Sequence, residues 1–152
     1  TFTQVVNPAA PLVGTLVPPN YLPPLMIAGN QYTVQFLFTA SGTVDITNNG
    51  TITCLEGVNN CNGTINITSS SCTPQTLTNA ACQMTATFTA PGAVAPPLTY
   101  ILTATVPYSV GGNPQPDATA ITSGSVLVSL PTERTVTLIN ECDFDVWFSL
   151  NG

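Results

Sequence analysis

Hydrophobic and polar residues alternate with a period of two through most of this chain. Tyr32–Thr39 places Tyr32, Val34, Phe36 and Phe38 on one face. Cys82–Thr89 sets Met84, Ala86 and Phe88 against Gln83, Thr85, Thr87 and Thr89. Such a period means β-strand, since successive side chains of an extended backbone point to opposite faces. Thr51–Leu55, Thr64–Thr68, Thr99–Val106 and Ser123–Leu130 read as further strands. Asn48-Asn49-Gly50, Pro91-Gly92, Pro107, Gly111-Gly112, Pro114 to Pro116 and Pro131 punctuate them as turns or stops. No segment carries a 3.6-residue period, so no helix is predicted.

About seven or eight short strands at close spacing predict an all-β fold, an immunoglobulin-like β-sandwich over residues 31–130. The Cys…Trp…Cys pattern of antibody domains is missing, so the prediction concerns architecture only. Residues 1–30 read as an extended arm. Pro8, Pro11, Pro18, Pro19, Pro23 and Pro24 exclude helix there. Its apolar residues, among them Phe2, Val5, Val6, Leu12, Leu22 and Met26, want burial along a surface, its own or a neighbour's. Residues 131–152 hold the longest alternation. Val136, Leu138, Asn140, Cys142, Phe144, Val146, Phe148 and Leu150 share one face. Thr137, Ile139, Glu141, Asp143, Asp145, Trp147 and Ser149 share the other. A terminal one-sided strand suits addition to another subunit or domain, or completion of its own sandwich.

Composition narrows the function. Charged residues make up 5% of the 152, against about 25% in a typical soluble domain. There is no Lys and no His, and Arg134 is the only base. The polar surface must therefore be built from hydroxyls and amides, which scarcely respond to pH or salt. Net charge is −6 without any basic patch, which excludes nucleic-acid binding. No apolar run approaches the roughly 18 residues of a membrane span. The chain starts at Thr1 without Met, which is read as export to the cell surface or medium after signal-peptide removal.

Cysteine usage fits export. Cys54, Cys61, Cys72 and Cys82 cluster and read as two local disulfides, while Cys142 stands apart, unpaired or linked to another chain. Four cysteines allow three connectivities; proximity favours Cys54–Cys61 and Cys72–Cys82 without fixing them. Without His or a CxxC pair, no metal site is expected. Asn49, Asn62 and Asn66 each open an Asn-x-Thr triplet and are candidate glycosylation sites.

Two stretches resemble known families. Cys72, Leu77, Cys82 to Phe88, Ala90-Pro91-Gly92 and Tyr100 to Val106 together resemble a bacterial immunoglobulin-like module. That resemblance implies a spacer or interaction domain of an exported protein. It covers about a quarter of the chain, and it departs from the family's pattern at Ala90, where a proline-containing turn usually starts earlier. The strand at 135–150, with Val136, Leu138, Asn140, Cys142, Phe144, Val146 and Trp147, resembles the opening of a thaumatin-like domain. There the cysteine pairs far downstream. The family's cleft would lie beyond Gly152, so no glycan-binding residue carries over.

Catalytic chemistry is thin. Without His or Lys, no Ser-His-Asp or Cys-His constellation can form. Asp143 and Asp145 share a strand face, as do Glu141 and Trp147, and a solvated face is favoured over a hydrolase or calcium site. No enzyme activity and no cofactor are expected. The expected function is an exported structural protein. It self-associates into a surface filament or envelope by strand addition, with Phe2, Val5, Val6, Phe144, Val146, Trp147 and Phe148 as candidate interface residues. The alternative is a spacer or interaction module at the front of a secreted, thaumatin-like glycan-binding protein, its partner then being a neighbouring domain.

Overall fold

The computed structural model describes residues 11–57, 59–61, 63–92 and 98–127. Thirteen strand segments run through them: β1 (Leu12–Leu16), β2 (Leu25–Ile27), β3 (Gln31–Ala40), β4 (Thr43–Ile46), β5 (Thr51–Glu56), β6 (Asn59–Asn60), β7 (Thr64–Ser70), β8 (Gln75–Thr78), β9 (Ala81–Thr89), β10 (Thr99–Val106), β11 (Tyr108–Val110), β12 (Asn113–Pro114) and β13 (Ala118–Leu127). They form an all-β, immunoglobulin-like sandwich. One sheet has the order β1-β3-β9-β7, a second β2-β13-β10-β5-β6, and a third β12-β11-β4-β8.

The second and third sheets are one surface bent at its middle. β4 and β5 run in the same direction, and both lie antiparallel to the continuous β10–β11 stretch. The break falls at Pro107, which has no N–H to give, while its carbonyl accepts from Thr47 at 3.1 Å. The turn predicted at Asn48-Asn49-Gly50 is therefore no reversal. It is an irregularity within one long strand. The chain tightens there because a Cβ on Gly50 would sit 2.6 Å from Met84 Sδ. These breaks also explain why segments outnumber the strands expected from pattern.

Alternation builds the core. Val34, Phe36 and Phe38 of β3, Met84, Ala86 and Phe88 of β9, and Tyr100, Leu102, Ala104 and Val106 of β10 are fully buried between the sheets. Each large apolar side chain there contributes about 1.5–3 kcal/mol of transfer free energy. The strand expected at Ser123–Leu130 starts earlier, at Ala118. Its inward residues Ala118, Ala120, Thr122 and Gly124 are too small or polar to register as a hydrophobic pattern.

The proline-rich segment is drawn into its own fold. β1 pairs antiparallel with β3, and β2 pairs parallel with β13. Leu12, Leu22 and Met26 are buried. Prolines suit these positions, because an edge strand needs donors on one side only. Two glycines let the backbones close: a Cβ on Gly14 would stand 2.6 Å from the Thr119 carbonyl, and one on Gly124 would strike the Pro23 carbonyl. Phe2, Val5 and Val6 lie outside the described residues, as does everything from 128 to 152.

Candidate functional site

The two sides of the sandwich differ. On one side β1 packs against β13 and the backbones nearly touch at Gly14. On the other, sheet β1-β3-β9-β7 ends at β7, and no further strand joins it among the described residues. β7 pairs only with β9, in the register Ile65↔Phe88, Asn66↔Thr87, Ile67↔Ala86, then Ser69↔Thr85 beyond a bulge. Directly paired residues share a face. Ile65 and Ile67 thus belong to the core side, with the fully buried Phe88 and Ala86. Yet Ile67 is 42% exposed, because no strand among the described residues lies beyond β7.

Apart from its bulge, β7 lacks the devices that normally protect a sheet edge. Its seven residues, TINITSS, contain no charge and no proline. Elsewhere the edges among the described residues are short or closed: β6 and β12 have two residues each, β2 has three beside Pro23 and Pro24, β8 has four, and β1 is packed on β13. The bulge is tied down by Thr68, whose hydroxyl donates to the Thr85 carbonyl at 3.1 Å. β7 is the one long, neutral, open rim among the described residues.

The surrounding surface is nearly uncharged. Among the described residues the charged side chains are Asp45, Glu56 and Asp117, and Glu56 is buried. Cross-strand pairs such as Thr33↔Thr87 and Thr53↔Thr103 cover the outer faces instead. Four aliphatic residues, Leu25, Ile27, Leu55 and Ile121, stand exposed on the outside of the second sheet.

The predicted disulfides are present. Cys54 joins Cys61 at the end of the β5–β6 hairpin, and Cys72 joins Cys82 with Cα atoms 5.0 Å apart. Asn49 is exposed, and Asn66 is exposed on β7 itself, so a glycan there would stand on the open rim. Asn62 and Cys142 lie outside the described residues, as do Glu141, Asp143, Phe144, Asp145, Val146, Trp147 and Phe148. No group of three or more His, Cys, Asp or Glu side chains suited to a metal occurs among the described residues. No helix there is long and apolar enough to cross a membrane.

One polar pair lies inside the sandwich. Glu56 and Tyr100 face each other across β5 and β10 and are hydrogen-bonded. The Tyr100 ring also meets Phe88, centroids 5.8 Å apart at 47°. Sequence reasoning missed this pair; the signal available was the acid ending an otherwise Thr/Ile/Leu strand. Burial first, then the charge of Glu56 and its hydrogen bond, raise the Tyr100 pKa above its usual 10.0. The folded protein therefore keeps a proton that the unfolded chain loses. This contribution to stability is complete below about pH 10 and declines as pH rises through and beyond it. Urea titrations from pH 7 to 11 should show that alkaline decline, and Tyr100→Phe should flatten it. At pH 7 the same variant should lose about 1–3 kcal/mol, because Glu56 loses the hydrogen bond from the buried Tyr100 hydroxyl.

No protein-family model and no curated protein sequence matches this chain. Among solved structures, it superposes on part of alpha-2-macroglobulin from E. coli with a TM-score of 0.54 and 16% identity, covering 78% of this chain and 7% of that one. It also superposes on part of the secreted serine protease VesC from Vibrio cholerae with a TM-score of 0.50 and 16% identity, covering 72% and 22%. This chain thus spans a small part of either protein's length, and at such identity the likeness shows the β-sandwich fold alone.

Proposed function

We propose that this chain is an exported, non-enzymatic structural subunit that self-assembles by strand addition into a surface filament or envelope. The observation that carries the proposal is the open rim of β7, with core-side Ile67 exposed beside unprotected backbone. An added strand would satisfy the outward N–H and C=O groups and extend the core over Ile65 and Ile67. Two disulfides support passage through an oxidising compartment. A nearly uncharged surface supports close packing of copies, since no strong repulsion opposes it. Contact between one rim and a different segment of the next copy is head-to-tail, which gives filaments when rotation does not close a ring.

A second reading is a spacer module within a longer exported protein. It is favoured by the small share that the matching sandwich occupies in the macroglobulin and in the secreted protease. Electron microscopy and native sizing of the unreduced protein separate the two. Regular assemblies are expected. A strict monomer at all concentrations removes the first reading. Ile67→Lys should leave the folded monomer intact and raise the concentration needed for assembly by about tenfold or more, equivalent to at least about 1.4 kcal/mol of association.

A further inference from the structure

We infer that two copies of this chain pair β7 with β7, antiparallel about a two-fold axis, with Asn66 opposite Asn66 of the second copy. The pairing needs only the open rim. It goes beyond filament growth, with which it competes for that rim.

The pattern of β7 is complementary to itself. Directly opposed residues of two antiparallel strands share a face. With Asn66 opposite Asn66, Ile65 of each copy faces Ile67 of the other, on the core side with Phe88 and Ala86. Thr64 and Asn66 remain on the outer face, beside Thr89 and Thr87. A slip of one residue would set Ile65 against Asn66 and turn the core side of one copy toward the outer side of the other. Registers centred on Ile65 or on Ile67 would leave the other isoleucine opposite Gly63 or a residue past the bulge at Thr68. The centre at Asn66 is therefore the register that covers both. It also satisfies the backbone. In an antiparallel ladder a residue turns its N–H and C=O to the same neighbour, and the direction alternates along the strand. Residues 65 and 67 point the same way, as Asn66 and its own copy do, so outward donors meet outward acceptors.

A strand cannot lie beside itself, so this occupant has to be a second copy. Among the described residues β7 is the one edge strand longer than five residues, and hence the longest open edge that such a copy has to offer. Neither β7 nor β9 carries a charge, so no like charges oppose each other across the new pair. On the outer face the two Asn66 amides, each with donors and an acceptor, meet at the axis. The pairing continues β1-β3-β9-β7 into its copy, two sheets of four strands becoming one of eight. The contact is isologous and closes on itself, unlike head-to-tail growth. The bulge beyond Ile67 keeps it to a few residues, which makes the dimer weak and dependent on concentration.

The two-fold axis provides the test. In this register the two copies of residue 66 stand about 4.5–5.5 Å apart at their Cα atoms, within the span of a disulfide. The two copies of residue 64 lie about 13 Å apart along the strands, beyond it. The full chain is made with Cys142→Ala and either Asn66→Cys or Thr64→Cys, concentrated, and treated with oxidised glutathione. That reagent takes two electrons and two protons from a thiol pair and becomes two reduced molecules. Sizing and peptide mapping then identify the linkage. The expected result is a covalent dimer joined at position 66 for Asn66→Cys, with at least about tenfold less for Thr64→Cys. Equal linkage at both positions overturns the inference, since it reports chance collision. No linkage at position 66 also overturns it, whether because a segment of the same chain covers β7 or because copies meet elsewhere. Filaments that form without that linkage leave the strand-addition reading standing alone. Dimers joined at position 66 that never grow further uphold the inference and count against filament growth.

Discussion

Replacing Phe36 by alanine is expected to remove about 3–5 kcal/mol of folding stability. Phe36 is wholly buried, at 0% exposure, in the middle of β3. Its cross-strand neighbours on the core side are Leu16 of β1 and Met84 of β9, so the ring is packed from both flanks as well as from the facing sheet. Removing it deletes the transfer free energy of the ring and leaves a cavity that rigid strands cannot collapse around. A domain of this size has only about 5–15 kcal/mol in total, so the loss is a large part of it. Urea denaturation followed by tryptophan-independent far-ultraviolet dichroism should show a lower midpoint with an unchanged slope. Ile121→Ala, on the exposed face of β13, should change stability by no more than about 0.5 kcal/mol. A Phe36→Ala loss as small as that would mean the two sheets do not pack through β3.

Breaking Cys72–Cys82 should cost about 3 kcal/mol. The bond closes a loop of sequence separation 10 that contains β8 and the turn into β9. Loop-closure entropy for that length gives a figure of this size. Both half-cystines are also buried in the core, so the paired alanine variant adds a packing loss. The bond holds the entry to β9, the strand that pairs with both β3 and β7. The double variant Cys72→Ala/Cys82→Ala should therefore melt lower and also loosen the β7 edge. Cys54→Ala/Cys61→Ala should cost less, since that bond is only half-buried and ties down the two-residue β6. Thermal melts of the two variants, without reductant, check the order. The reverse order would mean that the β5–β6 end is the more constrained part of the fold.

Much of the sandwich was legible in the chain, and the reason is local. In β3, β9 and β10 one face is apolar and the other is mostly Thr or Gln, with Leu37 and Ile101 the aliphatic exceptions, so the pleat is written directly into the sequence. Thr99–Val106 has the predicted boundaries. β4, Thr43–Ile46, and β8, Gln75–Thr78, went unseen because four residues give too few alternations to stand out. The true start of β13 was hidden by its small inward side chains.

The candidate site was harder to see, because an edge is a property of neighbours. Thr64–Thr68 reads as a strand from its own residues, and nothing in those residues says that β9 lies on one side and open rim on the other. The chain by itself determined a charge-poor β-protein with four clustered cysteines, because period-two patterning, charge and composition are local quantities. Only the tertiary structure decided which strands meet, that the proline-rich segments close one side of the sandwich, and that Ile67 stands exposed on the other. Pairing between segments tens of residues apart depends on register and on close backbone approach, as at Gly14 and Gly124, and no local pattern encodes either.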